Sequence, residues 1–449
     1  MDLAGAMAYL ADHVNLENDP APSAAARRLD GIRRLVELLG DPQSAYPVIH
    51  LTGTNGKGST ARMLTALLVE RGLSVGTYTS PHLQRVNERL AWNGEPIADD
   101  AFVDEVAAVA RLEPLLPTRP SHFEVLTAAA LRWFADVAVD VAVVEVGLGG
   151  RWDATNVVDG QVAAVTNVSL DHAETIGPEL SDIANEKAGI VKPGSTLVLG
   201  ETDPVLAPIF HRAGAQAVWE RDVDFGCDAN ALAHDGRLVD LWTPGARYEE
   251  VFLPVHGAFQ GDNAAVALAA AQAFFDAPLD ARVVTDAMAG LRLPGRLQVV
   301  SRSPLCILDG AHNPAGAAAA SAAVAEAFAA VPGCILVVGM LAGRDPTEML
   351  TALGATRCRL VVACPPPSPR ALDPEAVAAA ARGLRGPNAT TGLGVDTEVA
   401  DSVPAAVALA LSLATADELV LVSGSLYVVG AALGALVGDD AEGRTRRQS

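Results

Sequence analysis

The stretch VIHLTGTNGKGST, residues 48–60, decides the fold class of this chain. A short apolar run at 48–51 leads into a turn with three glycines and one lysine, and leucines at helical spacing follow. In such a strand–loop–helix unit, backbone N–H groups and a helix N-terminus surround an anion, and the lysine reaches it. We therefore predict a loop that binds the phosphates of a nucleoside triphosphate. Its residues are Thr54, Asn55, Gly56, Lys57, Gly58 and Ser59.

This loop is a variant of the general phosphate-loop pattern. Leu51 stands where that pattern begins with a glycine, and Gly58 separates Lys57 from the hydroxyl of Ser59. The alternative is a glycine-rich turn with a solvated lysine, which the closely spaced glycines between a strand and a helix disfavour. The residues that decide what the nucleotide drives have to come from elsewhere in the chain.

The composition limits the classes of function. A chain of 449 residues is too long for one ordinary core, so we expect more than one domain. The formal net charge of −22 argues against nucleic acid or an anionic membrane as a partner, and an anionic substrate would need a local positive site. Five cysteines without a C-x-x-C pair favour free thiols and a cytoplasmic protein.

Residues 419–438 contain no charged side chain and are long enough to span a bilayer as one helix. They divide, however, into the apolar run LVLV, the turn SGS and a run rich in alanine and glycine. We interpret the segment as a strand, a turn and a helix of an α/β domain rather than as a membrane span.

Apolar runs alternate with helical stretches along most of the chain, which is typical of a parallel sheet covered on both faces. Between 201 and 256 the pattern changes to short alternating pieces, which predicts an antiparallel edge or an inserted sheet. The Ala-rich stretch 315–330 has helical spacing. The predicted buried strands are 48–51, 141–146, 162–168, 196–199, 305–308, 334–338, 360–363 and 418–422.

These patterns predict an α/β protein with two domains. A Pro-Gly turn within LRLPGR, residues 291–296, precedes a restart of the strand–helix alternation and marks the boundary. We predict a P-loop, parallel-sheet ATPase domain over 1–293 and a smaller, Rossmann-like α/β domain over 294–438. The charged tail 439–449 lacks apolar anchors and is predicted to be disordered.

Several polar residues stand where predicted strands end, which is where open α/β sheets bind ligands. Glu145 lies in a buried strand, where a carboxylate needs an ion-pair partner, such as Arg151, or a metal ion. His172 follows the next strand, and Lys187 lies in a helical stretch after it. By themselves, His172, Lys187 and the turn residue Ser80 also fit ordinary structural roles.

A set of short motifs, taken together and in order, resembles the folylpolyglutamate synthase/dihydrofolate synthase family of Mur-type ligases. No single motif is specific, but their order along residues 53–314 is. They are GTNGKGS at 53–59, SPHL at 80–83, NER at 87–89, VEVGLGGR at 144–151, DATN at 153–156, SLDH at 169–172, EKAGI at 186–190, LPGR at 293–296 and DGAHNP at 309–314. GML at 339–341 and SGS at 423–425 extend the resemblance toward the C-terminus.

The resemblance implies roles for matching residues. Ser80 and Glu145 would ligate one Mg²⁺, and His172 with a carbamylated Lys187 would serve a second, since a carbamate offers the oxygen donors that Mg²⁺ prefers. The remaining implied contacts are those of Lys57 with the phosphates, Asn263 with adenine, Arg296 and Asp309 with the nucleotide as the second domain closes, and His312 and Ser423 with the incoming amino acid.

The implied reaction uses ATP to phosphorylate a folate-type carboxylate, after which the amine of L-glutamate displaces phosphate. The expected partners are small molecules only: ATP, L-glutamate, and dihydropteroate or a reduced folate. The protein itself is expected to be a monomer. Another Mur-type ligase, a P-loop kinase or motor ATPase, and a non-catalytic homologue are the alternatives. Arg344 stands where the family has a lysine-containing segment, which leaves its role in glutamate binding open.

Overall fold

The computed structural model describes residues 1–15, 29–384 and 395–445. These residues form two compact units. The first comprises Met1–Pro254 and Ala258–Leu291, and the second comprises Val255–Gly257 and the chain from Arg292 onward. The division therefore lies close to the Pro-Gly turn that marks the predicted boundary.

The first unit contains a large sheet whose strands are β1 Val48–Thr52, β2 Val75–Tyr78, β3 Leu90–Trp92, β4 Glu95–Pro96, β5 Val141–Glu145, β6 Gly160–Val165, β7 Thr196–Leu199 and β8 Ala217–Glu220. Their spatial order is β4-β3-β2-β5-β1-β6-β7-β8. Strand β3 pairs antiparallel with both β2 and β4, and the other neighbouring strands pair parallel. Strand β1 lies between β5 and β6, with Leu51 opposite Glu145 and Thr52 opposite Val165. The carboxyl ends of these three strands thus meet at one edge.

The helices of the first unit are α1 Leu3–Ala11, α2 Asp30–Leu38, α3 Lys57–Glu70, α4 Asp99–Leu112, α5 His122–Asp136, α6 Ala173–Ile176, α7 Leu180–Lys187, α8 Ala207–His211, α9 Phe259–Phe275 and α10 Ala281–Ala289. Helices α1, α2, α4 and α5 share one apolar core with the sheet, while α3 packs against α9 and α10. Residues 264–271 of α9 are mostly alanine and all buried, so this helix can lie close to its neighbours.

An antiparallel sheet follows the large sheet in the chain, as the change of pattern after residue 201 predicts. Its strands are β9 Gly226–Ala233, β10 Gly236–Thr243 and β11 Ala246–Leu253, in the order β11-β10-β9. From Arg237 onward, buried side chains alternate with more accessible ones along β10, as expected for a strand. This small sheet contacts α9.

The second unit is built on another, mostly parallel sheet. Its strands are β12 Gln298–Arg302, β13 Leu305–Leu308, β14 Cys334–Val338, β15 Leu360–Ala363, β16 Asp396–Val399 and β17 Leu419–Ser423, in the order β12-β13-β17-β14-β15-β16. Only β12 pairs antiparallel among these described strands. Its helices are α11 Pro314–Ala327, α12 Pro346–Ala352, α13 Pro374–Gly383, α14 Val403–Leu413 and α15 Leu426–Thr445.

Three segments differ from the sequence-based expectation or sharpen it. The strand predicted over 162–168 ends at Val165; the N–H of Thr166 still bonds to Thr52 at the end of β1, and the carbonyl of Asn167 accepts the N–H of Thr54 in the phosphate loop. Helix α15 extends into the predicted disordered tail as far as Thr445, and residues 446–449 lie outside the described residues. Residues 419–438 form β17, a turn and part of α15; within the described chain, no helix has the length and apolar character needed to cross a membrane.

Candidate active site

The loop after β1 has a backbone conformation that requires glycine at two positions. Gly53 and Gly56 have φ values of 151° and 87°, which side-chain-bearing residues rarely adopt. A Cβ at Gly53 would overlap the Thr166 hydroxyl, and one at Gly56 would overlap the amide oxygen of Asn263. Helix α3 begins at Lys57 directly after this turn, so its unpaired N–H groups face the loop.

The residues that follow β6 hold the loop in place. The backbone N–H of Thr54 donates to the carbonyl of Asn167 at 2.9 Å, and that of Asn55 donates to the Asn167 side chain at 3.0 Å. The hydroxyl of Thr166 donates to the carbonyl of Asn55 at 2.6 Å. Thr166 and Asn167 carry no motif that predicts this role, and their polarity at the end of an apolar run is the available signal.

Lys57 supplies a positive charge at the loop. Its ammonium donates to the carbonyls of Gly53 at 3.0 Å and Thr54 at 3.2 Å, so the side chain curls back over the turn. Ser59 is buried in the first turn of α3. The predicted loop residues thus form one compact structure with the lysine over it.

Glu145 and Ser80 lie together beside this loop. Glu145 ends β5 and is buried, and its carboxylate accepts the backbone N–H of Ser80 at 3.2 Å. A Cβ added to Gly58 would lie 3.5 Å from the Glu145 carboxylate, so the loop backbone passes directly over this group. A buried carboxylate next to a phosphate loop is well placed to contribute to a cation site.

Lys187 is the last residue of α7 and is buried. The glycine-containing turn after β5 makes room for this helix end, because a Cβ at Gly150 would lie 2.8 Å from the carbonyl of Glu186 and 3.1 Å from the Cα of Lys187. Burial and the nearby charge of Lys57 lower the pKa of Lys187 to about 7, against the opposing effect of Asp171. Lys57 and Lys187 are therefore close enough to repel each other.

His172 has a left-handed backbone, with φ 51°, in the segment after β6. Its backbone N–H donates to the Asp171 carboxylate at 2.9 Å, and its Nε2 lies 3.8 Å from the same carboxylate. Asp171 also acts electrostatically on Lys187. Asp171 thus links the two residues for which the resemblance implied a shared metal role.

Asn263 lies in the first turns of α9 and contacts the loop at Gly56. Its Nδ2 donates to Gln260 Oε1 at 2.9 Å, which fixes the amide with its oxygen toward the glycine. The structure therefore brings the distant residue 263 to the loop after β1, and its implied contact with adenine stays a prediction.

The donor set of the first unit fits a hard divalent cation that shares its coordination with phosphates. Among the described residues, no three His, Cys, Asp or Glu side chains are grouped to hold a metal ion by themselves. Mg²⁺ is commonly held by one or two carboxylates together with substrate phosphates. Glu145 with the Ser80 hydroxyl offers such oxygen donors next to the loop, whereas His172 and Lys187 lie beside Asp171.

The predicted site residues of the second unit lie at the carboxyl edge of its sheet. Asp309 follows β13 and is buried, and its carboxylate accepts the backbone N–H groups of Leu297 at 3.0 Å and Ala311 at 2.9 Å. Burial raises the pKa of Asp309, while the charge of Arg296 opposes that shift. A Cβ at Gly310 would lie 3.1 Å from the Arg296 guanidinium, so Arg296 and Asp309 are neighbours.

His312 and Ser423 lie at the same edge. His312 Nδ1 is 3.1 Å from the Gly310 carbonyl, two residues before α11 begins. Ser423 ends β17, which lies between β13 and β14, and its buried hydroxyl has no hydrogen-bond partner within the described part of the chain. An unpaired buried hydroxyl is costly unless a ligand satisfies it.

Two models of known protein families match this chain. Residues 51–271 match the Mur ligase middle domain, and residues 295–426 match the glutamate ligase domain of Mur ligases. These ranges contain every residue proposed above for the two sheet edges.

Known proteins resemble the chain over most of its length. The dihydrofolate synthase/folylpolyglutamate synthase of Mycobacterium tuberculosis is 39% identical over 384 residues, which cover 80% of this chain and 78% of that protein. The structure of M. tuberculosis folylpolyglutamate synthase complexed with ADP and AMPPCP matches with a TM-score of 0.87 and 36% identity, covering 97% of this chain and 99% of that one. The Yersinia pestis bifunctional enzyme complexed with AMPPNP and Mn ion matches with a TM-score of 0.80 and 30% identity, covering 97% and 98%. The chain therefore belongs to the folylpolyglutamate synthase/dihydrofolate synthase family of ATP-dependent Mur-type ligases.

Proposed function

We propose that this protein joins L-glutamate to a folate-type carboxylate: dihydropteroate, a reduced folate, or both. The observation that carries the proposal is the convergence of the phosphate loop, Glu145 and Lys187 at one sheet edge of the first unit. The names of the relatives, which cite both dihydrofolate synthesis and folate polyglutamylation, supply the acceptor class.

We assign the triphosphate of ATP to the loop amides at 54–59 and to Lys57. Asn263, held at Gly56, would contact the adenine. Ser80 and Glu145 would hold one Mg²⁺, and His172 and Lys187 a second. Bound there, Mg²⁺ would offset the repulsion between the triphosphate and the acceptor carboxylate. The manganese in a related structure supports a divalent ion, and the number of ions stays a prediction.

Carbamylation of Lys187 is part of this proposal. A free ammonium beside Lys57 would add positive charge and repel a metal ion, whereas a carbamate offers oxygen donors. Burial and the nearby charge of Lys57 both disfavour the ammonium form. The unprotonated amine is the form that can react with carbon dioxide.

In the proposed reaction, the acceptor carboxylate attacks the γ-phosphorus of ATP and ADP leaves. The amine of L-glutamate then attacks the acyl carbon, loses a proton, and displaces inorganic phosphate to form an amide. Because no covalent enzyme intermediate is needed, the side chains act by positioning and by stabilising charge. Lys57 and the loop amides stabilise the negative charge that develops on the transferred phosphoryl group.

The second unit would contribute Arg296 and Asp309 toward the nucleotide and His312 with Ser423 toward L-glutamate. The unpaired hydroxyl of Ser423 supports a polar ligand at this edge. A cytoplasmic location and a monomeric state stay predictions from the sequence.

A direct test measures ADP release with dihydropteroate and, separately, with tetrahydrofolate as the acceptor. We expect release to require both the acceptor and L-glutamate, with product masses larger by one glutamyl residue. Rapid ATP hydrolysis with neither substrate would instead favour a motor-type ATPase. Activity with another amino acid and no folate acceptor would favour a different Mur-type ligase.

A further inference from the structure

Two cysteine thiols of the second unit are in direct contact. Cys334 begins β14 and Cys358 lies just before β15, the neighbouring parallel strand. Their sulfur atoms are 3.0 Å apart, although the residues are separated by 24 positions in the chain. No C-x-x-C spacing marks this pair, so the sequence gives no sign of it.

Surrounding contacts hold both cysteines in place. The backbone N–H of Arg359 donates to the carbonyl of Cys334 at 2.9 Å, which joins the two strands at this point. The backbone N–H of Cys358 donates to the carbonyl of Ala355 at 3.0 Å, and the Arg357 guanidinium bonds to Ser321 on α11. The two sulfur atoms are therefore held about 1 Å beyond the length of a disulfide bond.

Cys334 differs in exposure from the other cysteines of its unit. Cys334 is partly exposed, whereas Cys306 and Cys364 are both fully buried in the sheet. Both contacting cysteines lie at the amino-terminal ends of their strands, and Asp309 and Ser423 lie at the carboxyl ends of theirs. The pair is thus reached from solvent through Cys334, while Cys358 is buried behind it, and it lies at the end of the sheet opposite Asp309 and Ser423.

We propose that Cys334 and Cys358 are a redox modification site, which a low-molecular-weight disulfide such as oxidised glutathione converts to an intramolecular disulfide. This inference does not depend on the proposed ligase reaction. It refines the expectation of free thiols, which holds for the reduced protein.

The chemistry balances in two exchange steps. The thiolate of Cys334, the more exposed residue, attacks one sulfur of the small disulfide, forms a mixed disulfide and releases one small thiolate. The thiolate of Cys358 then attacks the Cys334 sulfur and releases the second. Two protein thiols are oxidised, one small disulfide is reduced to two thiols, and the two protein protons end on those thiols.

The surroundings make this exchange slow at neutral pH. The thiol contact with Cys358 and burial raise the pKa of Cys334 well above its usual value, Glu418 adds to that shift, and Arg357 opposes it. Because the thiolate is the nucleophile, we expect the rate of oxidation to rise with pH above 7.

The test incubates the reduced full-length protein with oxidised glutathione, blocks the remaining thiols with iodoacetamide and maps peptides by mass. With thiols counted and alkylated in denaturant, which exposes the buried ones, we expect their number to fall from five to three and residues 334 and 358 to become cross-linked. A reductant should restore five. A stable glutathione adduct without the cross-link, or a cross-link involving another cysteine, would overturn the proposal on the wild-type protein alone.

Matched variants separate the two steps. Cys358→Ser should accumulate a glutathione adduct at Cys334, while Cys334→Ser should acquire far less adduct. The control Cys306→Ser removes a buried cysteine of the same sheet and should still form the 334–358 cross-link. Oxidation of the wild type should raise the Tm of the second unit by several degrees, since the cross-link restricts the unfolded chain; an unchanged or lower Tm would contradict a native-compatible bond.

Discussion

The carboxyl edges of the two sheets carry polar residues of different kinds. The first unit places buried charged groups, Glu145 and Lys187, beside a loop that follows β1. The second unit places Asp309, whose carboxylate accepts backbone N–H groups, and Ser423, whose hydroxyl has no partner in the described residues. Since a buried charge is costly without a compensating partner, the first edge suits a highly charged ligand.

This difference indicates that the two sheets, although similar in fold, suit different steps of the proposed reaction. At the first edge, positive charge would have to offset the negative charge of the proposed phosphates. Glycines there let the loop and its neighbouring side chains approach one another closely. At the second edge one carboxylate is already fixed by the backbone, so the proposed ligand contacts there are His312 and the unpaired hydroxyl of Ser423. Substitutions at the first edge should accordingly cost more activity than substitutions at the second.

Lys187→Ala should have the largest effect. We expect ligation to fall by about a thousand-fold or more, because charge stabilisation at the transferred phosphoryl group is lost. Added short carboxylates should restore part of the activity by replacing the proposed carbamate. ADP release and product mass report both effects.

Lys192→Ala is the control for that experiment. Lys192 lies five residues after Lys187 in the chain, and its ammonium donates to the Asn156 carbonyl at 3.4 Å. It should retain most of the wild-type activity. Wild-type turnover in Lys187→Ala would show that this residue is not needed for the reaction, whereas lost activity that short carboxylates do not restore would contradict the carbamate.

Gly56→Ala should have the next largest effect. Its Cβ would overlap the Asn263 amide oxygen and the backbone has φ 87°, so the loop or α9 has to shift. We expect the KM for ATP to rise by roughly tenfold to a hundredfold, since a displacement of about 1 Å in a positioning group can cost that much.

Gly72→Ala provides a matched comparison for Gly56→Ala. Gly72 has φ 96° and open space around its Cβ position, so the substitution brings similar backbone strain without the overlap. It should lower the Tm but leave the KM for ATP unchanged. If both variants raise this KM equally, general loss of stability and not the loop contact explains the effect.

The sequence predicted the fold class and the strands of both edges well, because apolar runs of β-branched residues mark buried parallel strands. It also placed Glu145 near the end of a buried strand, where open α/β sheets bind ligands, but the strand order that brings it beside Lys57 has no local signal. Roles for Asn263, Arg296 and Asp309 came from family resemblance, and they remain proposals.

Other features depended on contacts that no local pattern encodes. The hydrogen bonds that Thr166 and Asn167 make with the loop, and the contact of Cys334 with Cys358, both depend on strand order. The charged residues after 438 led to the prediction of a disordered tail, but α15 continues to Thr445. Charged residues can extend a helix whose earlier turns are already packed.

Ser423→Ala tests the proposed ligand contact at the carboxyl edge of the second sheet. Removing an unpaired buried hydroxyl should leave the Tm of the free protein unchanged or slightly higher. The KM for L-glutamate should rise about tenfold, because a polar contact to the ligand is lost. The KM for ATP should not change, and an unchanged KM for L-glutamate would exclude the Ser423 hydroxyl from glutamate binding.

Glu418→Gln should have the smallest effect, confined to stability, because Glu418 precedes β17 at the edge opposite Ser423. Hydrogen bonds from Arg359 and from the backbone N–H of Thr415 hold the pKa of Glu418 at about 2, below its usual value of 4.5. The stability from this ionised group is therefore present above pH 4.5 and is lost as the pH falls toward 2. We expect the variant to have a lower Tm at neutral pH, and the difference from wild type to shrink across that acid range.

Glu375→Gln is the control, because it removes an exposed ion pair with Arg382 and should shift the Tm little at any pH. If the lower Tm of Glu418→Gln persists at pH 2, side-chain packing and not charge accounts for it.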